Sequence, residues 1–112
     1  MIEEITIRMA NQSDAETVGT MVSRLLQELL PERTESPGLE KTVADAHSLL
    51  QQDSKVWAFI ALNDSNECIG LITLNECAAI YAGGSFGEIS ELYIKPGNRS
   101  ANIGTLLIDT AV

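Results

Sequence analysis

The chain has 112 residues, 45% of them hydrophobic and 21% charged, which is the balance of a single globular domain and not of a disordered segment. Seven Lys and Arg against sixteen Asp and Glu leave a net charge of −9, so no cationic face is available to displace counterions, and a nucleic-acid partner is not expected. The longest clean apolar run, Val56–Leu62, is far short of the ~20 residues of a membrane helix, and the acidic start Met1-Ile2-Glu3-Glu4 lacks the basic opening of a secretory signal, so a cytoplasmic protein with no membrane partner is expected.

Ile5, Ile7 and Met9 alternate with Thr6 and Arg8, which predicts a first strand over residues 4–9. Ser13-Asp14-Ala15-Glu16 has the pattern of a capping box. Ala15, Val18, Val22, Leu25, Leu26 and Leu29 follow at helical spacing, and Pro31 ends that helix. Residues 32–38 are polar and hold Pro37-Gly38, so they read as a loop. Leu39, Val43, Ala46 and Leu50 share one face of a second helix that runs to about Gln51, with His47 beside that face as a partly exposed helix residue and not a catalyst.

The run Val56–Leu62 predicts a strand buried on both faces. Residues 63–67 carry turn chemistry of hairpin length, and the next strand runs antiparallel from Cys68 to Leu74 with an extension toward Ile80. Cys68 and Cys77 lie nine apart with no C-x-x-C and one distant histidine, so free thiols are expected, with neither a zinc site nor a disulfide. Gly83-Gly84-Ser85 reads as a loop before a fourth strand over residues 86–94. Strict alternation there puts Ile89, Glu91 and Tyr93 on one side and Glu88, Ser90, Leu92 and Ile94 on the other. Residues 95–101 read as a loop. From Asn102 a last helix follows, with Ile103, Leu106, Leu107, Thr110 and Ala111 on its apolar face. The order β-α-α-β-β-β-α is that of a mixed α/β (α+β) domain in three layers.

The strand-to-helix connection carries the chemical signal. It reads Leu92-Tyr93-Ile94-Lys95-Pro96-Gly97-Asn98-Arg99-Ser100-Ala101-Asn102-Ile103-Gly104-Thr105. The first turn of a helix presents amides without intrahelical partners, and with the helix dipole they favour a phosphate or pyrophosphate. Small residues at Ser100, Ala101 and Gly104 admit a bulky ligand, and Arg99 adds a cation. On physical grounds an anion site here competes evenly with an ordinary connection.

The stretch Arg99-Ser100-Ala101-Asn102-Ile103-Gly104 resembles the acetyl-CoA-binding motif Gln/Arg-x-x-Gly-x-Gly/Ala of the GNAT acetyltransferase superfamily. The flanking Leu-Tyr-Ile-x-Pro and Ile-Gly-x-Leu-Leu, and the element order before them, are similar to that family's N-terminal portion. The resemblance implies acetyl-CoA as co-substrate and transfer of its acetyl group to a primary amine of a small molecule or peptide. It implies main-chain contacts from Leu92, Tyr93 and Ile94 to the acetyl and pantetheine groups. It also implies a pyrophosphate cradle of Arg99, Ser100, Ala101, Asn102, Ile103, Gly104 and Thr105.

Glu88, six residues before Ile94, stands at the offset of the family's catalytic glutamate, and Glu91 is the second candidate base. Asn102 and Ser100 replace glycines of the family pattern, so weakened cofactor affinity is expected, although asparagine tolerates left-handed backbone. Acceptor choice in this family rests on residues 26–39, where Glu28, Glu32 and Glu35 are acidic: they suit a cationic amine or form a solvated face.

The family's domain continues beyond this chain's last helix, so the resemblance implies an incomplete domain over residues 1–112. With the missing part goes the tyrosine often used as general acid, for which neither Tyr81 nor Tyr93 is in an equivalent place. From this follow two expectations: a homodimer or higher oligomer that covers the open sheet edge, and, as the alternative to an enzyme, a non-catalytic acyl-CoA-binding or assembly module.

Overall fold

A computed structural model describes residues 4–29, 38–51, 55–79 and 84–111. Its elements are β1 (Thr6–Met9), α1 (Ala15–Leu29), α2 (Leu39–Leu49), β2 (Val56–Leu62), β3 (Cys68–Ala79), β4 (Gly84–Ile94) and α3 (Ile103–Ala111), with short 3-10 turns at Gln12–Asp14 and Pro96–Ala101. The strands form one antiparallel sheet in the order β1-β2-β3-β4. This is the mixed three-layer arrangement that the sequence predicts.

The apolar run of β2 divides between two cores because successive side chains point to opposite faces. Ala58, Ile60 and Leu62 join Leu71, Tyr93, Val18, Met21 and Ala46 under α1 and α2. Ala61 joins Ile69, Ile72, Ile103 and Leu107 under α3, with Ile5, Ile7, Phe59 and Ile94 packed against them. Two glycines set how closely the layers approach. A β-carbon on Gly19 would lie 2.6 Å from the Val43 Cα, so α1 and α2 cross backbone to backbone. A β-carbon on Gly70 would lie 2.8 Å from Ile94 Cδ1 and 3.3 Å from Ile103 and Leu107, so Gly70 lets α3 settle on β3 next to the end of β4.

Several local expectations are corrected. The capping box forms two residues earlier than the Ser13/Glu16 pattern: Asn11 Oδ1 accepts from Ser13 N at 2.9 Å, and Asp14 Oδ2 accepts from Asn11 N at 2.9 Å. Asp14 wins because its carboxylate also receives both guanidinium nitrogens of Arg8 at 2.8 Å, an arrangement that the Glu16 position does not offer. Helix α2 stops at Leu49. Gly84 and Ser85 belong to β4, with Gly84 facing Ala79 across the hairpin. Residues 96–101 are a 3-10 helix with Pro96 at its start, where a missing N–H costs nothing. Leu106 and Thr110 face solvent, and α3 buries Ile103 and Leu107 with Ile108 and Ala111 beside them. Of the loop expected over residues 32–38, all but Gly38 lies outside the described residues, as do Glu32 and Glu35 within it, Pro31 before it, and Tyr81.

Candidate functional site

Strand β4 carries the candidate groups, and an irregularity in it decides which of them meet. Thr73 faces Glu91 but Leu74 faces Ile89, so Ser90 is an extra residue, a β-bulge. The bulge reverses the alternation. Glu88 faces Asn75, which lies on the same side of β3 as Thr73, the partner of Glu91. Glu88 and Glu91 therefore share the face under α1 and α2, and Ile89 turns to the α3 side. The side assignment of strict alternation is overturned: the two candidate bases are neighbours on one face.

Their surroundings differ. Glu91 is half-buried, accepts a hydrogen bond from the Thr73 hydroxyl, and lines a cavity of about 240 Å³ between α1, α2 and the sheet. Glu88 is exposed and accepts from the Cys77 thiol at 3.1 Å, while Asn75 Nδ2 donates to that sulfur at 3.0 Å and the Ser90 hydroxyl donates to Asn75 Oδ1. The carboxylate holds the Cys77 thiol above its ordinary pKa, since a thiolate beside Glu88 would face a like charge. Cys68 is raised as well, by burial. Both cysteines are free.

At its C-terminal end β4 offers backbone. Lys95 N donates to Ile69 O at 2.9 Å, so Lys95 is bonded to β3, and by the two-residue alternation of an antiparallel ladder Tyr93 is too. Leu92 and Ile94 then turn their N–H and C=O groups toward the outer edge. Ile94 O agrees with this, because it accepts from Arg99 Nε at 2.8 Å. The Leu92 side chain lies on the α3 face and is 37% exposed, whereas Tyr93 is buried under α1.

Beyond the 3-10 turn, Asn102 is left-handed at φ 58°, the backbone that the family pattern reserves for glycine. The helical ladder of α3 begins with Leu106 N to Asn102 O at 3.1 Å, which leaves the amides of Ile103, Gly104 and Thr105 ahead of it. No acidic residue sits in this first turn, and a β-carbon on Gly104 would meet no protein atom within 4 Å. The turn is an open, acid-free amide cradle, and it fits a diphosphate. Ser100 and Ala101 contribute backbone to the 3-10 turn that leads into it.

Arg99 is placed differently from its reading as a free cation. Its NH2 group reaches both carboxylate oxygens of Glu28 at 2.7 Å, and its guanidinium lies 5.7 Å from the centre of the Tyr93 ring. Glu28 is correspondingly held below the usual carboxylate range, chiefly by Arg99, and Tyr93 is pushed up, first by burial and then by its hydrogen bond to Glu28. Glu28 is thus an exposed carboxylate that is already paired: it ties the end of α1 to the loop before α3. Sequence reasoning missed this latch because its partners are 71 residues apart. His47 is exposed and contributes only its carbonyl, to Gln12. Among the described residues no group of His, Cys, Asp and Glu forms a metal site, and no helix is long and apolar enough to cross a membrane.

The family model described as acetyltransferase (GNAT) family matches residues 20–112. No curated protein matches. Solved structures with the same fold include a possible acetyltransferase from Clostridium difficile 630, at TM-score 0.80 and 18% identity over 96% of this chain and 68% of that one. An aminoglycoside acetyltransferase from an uncultured soil metagenomic sample aligns at TM-score 0.72 and 21% identity, over 96% of this chain and 66% of that one. A predicted acetyltransferase with acetyl-CoA from Clostridium acetobutylicum aligns at TM-score 0.78 and 17% identity, over 96% and 70%. The chain thus spans about two thirds of the length of these structures.

Proposed function

We infer the reaction from one premise: the chain belongs to the acetyltransferase (GNAT) family. The reading is an N-acetyltransferase that uses acetyl-CoA and acetylates a primary amine of a small molecule or peptide. When bound, acetyl-CoA supplies an activated acyl group as its thioester, attached through a long arm to a diphosphate.

The chain's own groups suit each demand of that reaction. The amides of Ile103, Gly104 and Thr105, aided by the dipole of α3, grip the diphosphate, and the left-handed Asn102 turns the chain so that they converge. The outward N–H and C=O of Leu92 and the N–H of Ile94 hold the arm as a strand would, and the Leu92 N–H is positioned to stabilise negative charge on the carbonyl oxygen. Arg99 acts indirectly: bound to Ile94 O and to Glu28, it fixes the loop between the strand and the amide cradle. An amine carries its proton at neutral pH, with a pKa near ~10 for an alkylammonium, and must lose it before it can attack. Glu91 Oε2 accepts that proton. Glu88, three residues away on the same face, provides a second carboxylate nearer to solvent.

The observation that supports this reading most is the bulge at Ser90, which brings both carboxylates to the face opposite α3 while the same strand ends at the α3 amides. The test is coenzyme A release from acetyl-CoA in the presence of amines. Glu91→Gln should lower kcat by about 10²–10⁴-fold, the usual contribution of a general base, and leave coenzyme A affinity unchanged. Glu88→Gln should have the smaller effect. Full activity in the Glu88→Gln/Glu91→Gln double variant would refute the assignment.

A further inference from the structure

The cavity beside Glu91 has a composition that specifies its ligand. Its walls are apolar, formed by Val18, Val22 and Leu26 of α1, Leu50 after α2, and Ala58 of β2. Its polar groups are few. Thr42 is committed to Leu39 O at 2.9 Å, and the Thr73 hydroxyl, on a residue only 4% exposed, is committed to Glu91 Oε1. The Asp45 carboxylate is exposed and is neutralised by Lys41, 2.8 Å from its Oδ2. Glu91 Oε2 receives no hydrogen bond among the described residues. The cavity therefore holds one carboxylate without a cationic partner, fixed at Oε1 by a buried hydroxyl and flanked by apolar walls. A larger recess of about 500 Å³ beside Trp57 is lined by no ionisable side chain and offers no such recognition.

We propose that this cavity is the acceptor site and that it takes a small apolar primary monoamine, its ammonium on Glu91 and its hydrocarbon tail between α1, α2 and the sheet. The proposal rests on the acetyltransferase reading and narrows it. One free carboxylate oxygen neutralises one ammonium, and a second cation in the same apolar space would be desolvated without a partner, which is strongly unfavourable. The size is also small: about 240 Å³ lies below the ~300–1,000 Å³ of sites that take drug-sized ligands, which favours a short alkyl chain. Hexylamine fits this space. A polyamine of similar width carries too many charges, and an aminoglycoside is several times too large and polar throughout. Acceptor choice thereby differs from that of the aminoglycoside acetyltransferase with which the chain shares its fold. The negative charge of the chain raises the local concentration of any ammonium and so contributes to rate but not to this discrimination.

Two measurements on the full chain test the proposal. In the first, coenzyme A release is followed with propylamine, butylamine, hexylamine, spermidine and kanamycin. Along the alkylamines kcat/KM should rise about four-fold per added methylene, the transfer free energy of one buried CH₂, and hexylamine should exceed both polycations. Val22→Phe, which fills the cavity, should flatten that series without changing coenzyme A affinity. Preferential use of spermidine or kanamycin would overturn the proposal and leave the acetyltransferase reading standing. In the second measurement, hexylamine is titrated into the protein by calorimetry without acetyl-CoA. Binding that is lost in Glu91→Gln supports the site even where no amine is turned over, in which case the acetyltransferase reading alone falls. Absence of binding, or binding that Glu91→Gln leaves intact, overturns the site.

Discussion

Two substitutions of Gly104, to alanine and to valine, separate folding from cofactor binding. Gly104 is the second residue of α3, its backbone is helical and not left-handed, and the space beyond its Cα is free of protein atoms within 4 Å. Alanine meets no steric resistance there, and it removes freedom from the unfolded chain, which stabilises by about 0.4–1 kcal/mol. With an unfolding entropy of about 2.1 cal/mol/K per residue over 112 residues, that corresponds to a rise in Tm of about 2–4 °C. The acetyl-CoA-binding pattern itself admits alanine at this position, so a methyl group leaves the diphosphate in place. A branched side chain does not: Gly104→Val fills the space in front of the amides of Ile103, Gly104 and Thr105. A hydrogen bond from a neutral donor to a charged group contributes about 1.5–3 kcal/mol, so displacement of the diphosphate from one amide weakens coenzyme A by at least about ten-fold. Differential scanning fluorimetry of Gly104→Ala gives the first quantity and calorimetric titration of Gly104→Val with coenzyme A the second. The expected result is a higher melting temperature with an unchanged Kd for Gly104→Ala and a weaker Kd for Gly104→Val. A folded Gly104→Val that binds coenzyme A as tightly as the parent would show that the diphosphate lies elsewhere, and the amide-cradle argument would fail.

Three further outcomes follow from named contacts. Gly19→Ala places a carbon 2.6 Å from the Val43 Cα, a backbone atom that cannot turn aside, so α1 and α2 must separate. The loss should be about 1–3 kcal/mol, read as a lower urea midpoint at unchanged m-value, and an unchanged midpoint would contradict the close crossing. Asp14 is held below the usual carboxylate range, first by its hydrogen bonds from Arg8 and then by the Asn11 amide against the opposing effect of burial. Its contribution is therefore complete above the unfolded pKa near ~4 and is lost as pH falls through the lower folded value. The stability gap between the parent and Asp14→Asn should be wide at pH 7 and narrow toward pH 2–3, and a gap independent of pH would refute the pairing. Glu88 raises the Cys77 thiol, so Glu88→Gln should speed iodoacetamide alkylation of Cys77 near pH 8 and move its pH profile downward; an unchanged profile would show that the Cys77–Glu88 hydrogen bond does not persist in solution.

What was legible in the sequence was what depends on local periodicity. Alternation in Ile5 and Ile7, the unbroken run of β2, and the helical spacing of α1 each report a face that packs against the core, and burial is a property that neighbours three or four residues away already encode, although Met9, the third residue of the β1 alternation, is 54% exposed. The succession of strand, short connection and apolar helix that the proposed cradle requires was legible for the same reason, since these elements follow one another directly. The relations that organise the site have another origin. Ser90 is a bulge because β3 and β4 pair out of step between Thr73 and Leu74, and nothing in the stretch Glu88-Ile89-Ser90-Glu91 marks a break in alternation. Reading period two through it placed the two carboxylates on opposite faces, which would separate a base from its neighbour by the thickness of the sheet. Arg99 likewise looked like a ligand for phosphate because its nearest residues in sequence lie at the cradle, while its strongest partner, Glu28, comes from the end of α1. That pair is exposed, and Arg99 reaches a diphosphate by exchanging the Glu28 carboxylate for it. The anion site proposed above therefore rests first on backbone amides, whose direction is fixed by the fold of the chain and not by which side chains stand there. Asn102 accordingly keeps a left-handed backbone, φ 58°, where that reading expects glycine.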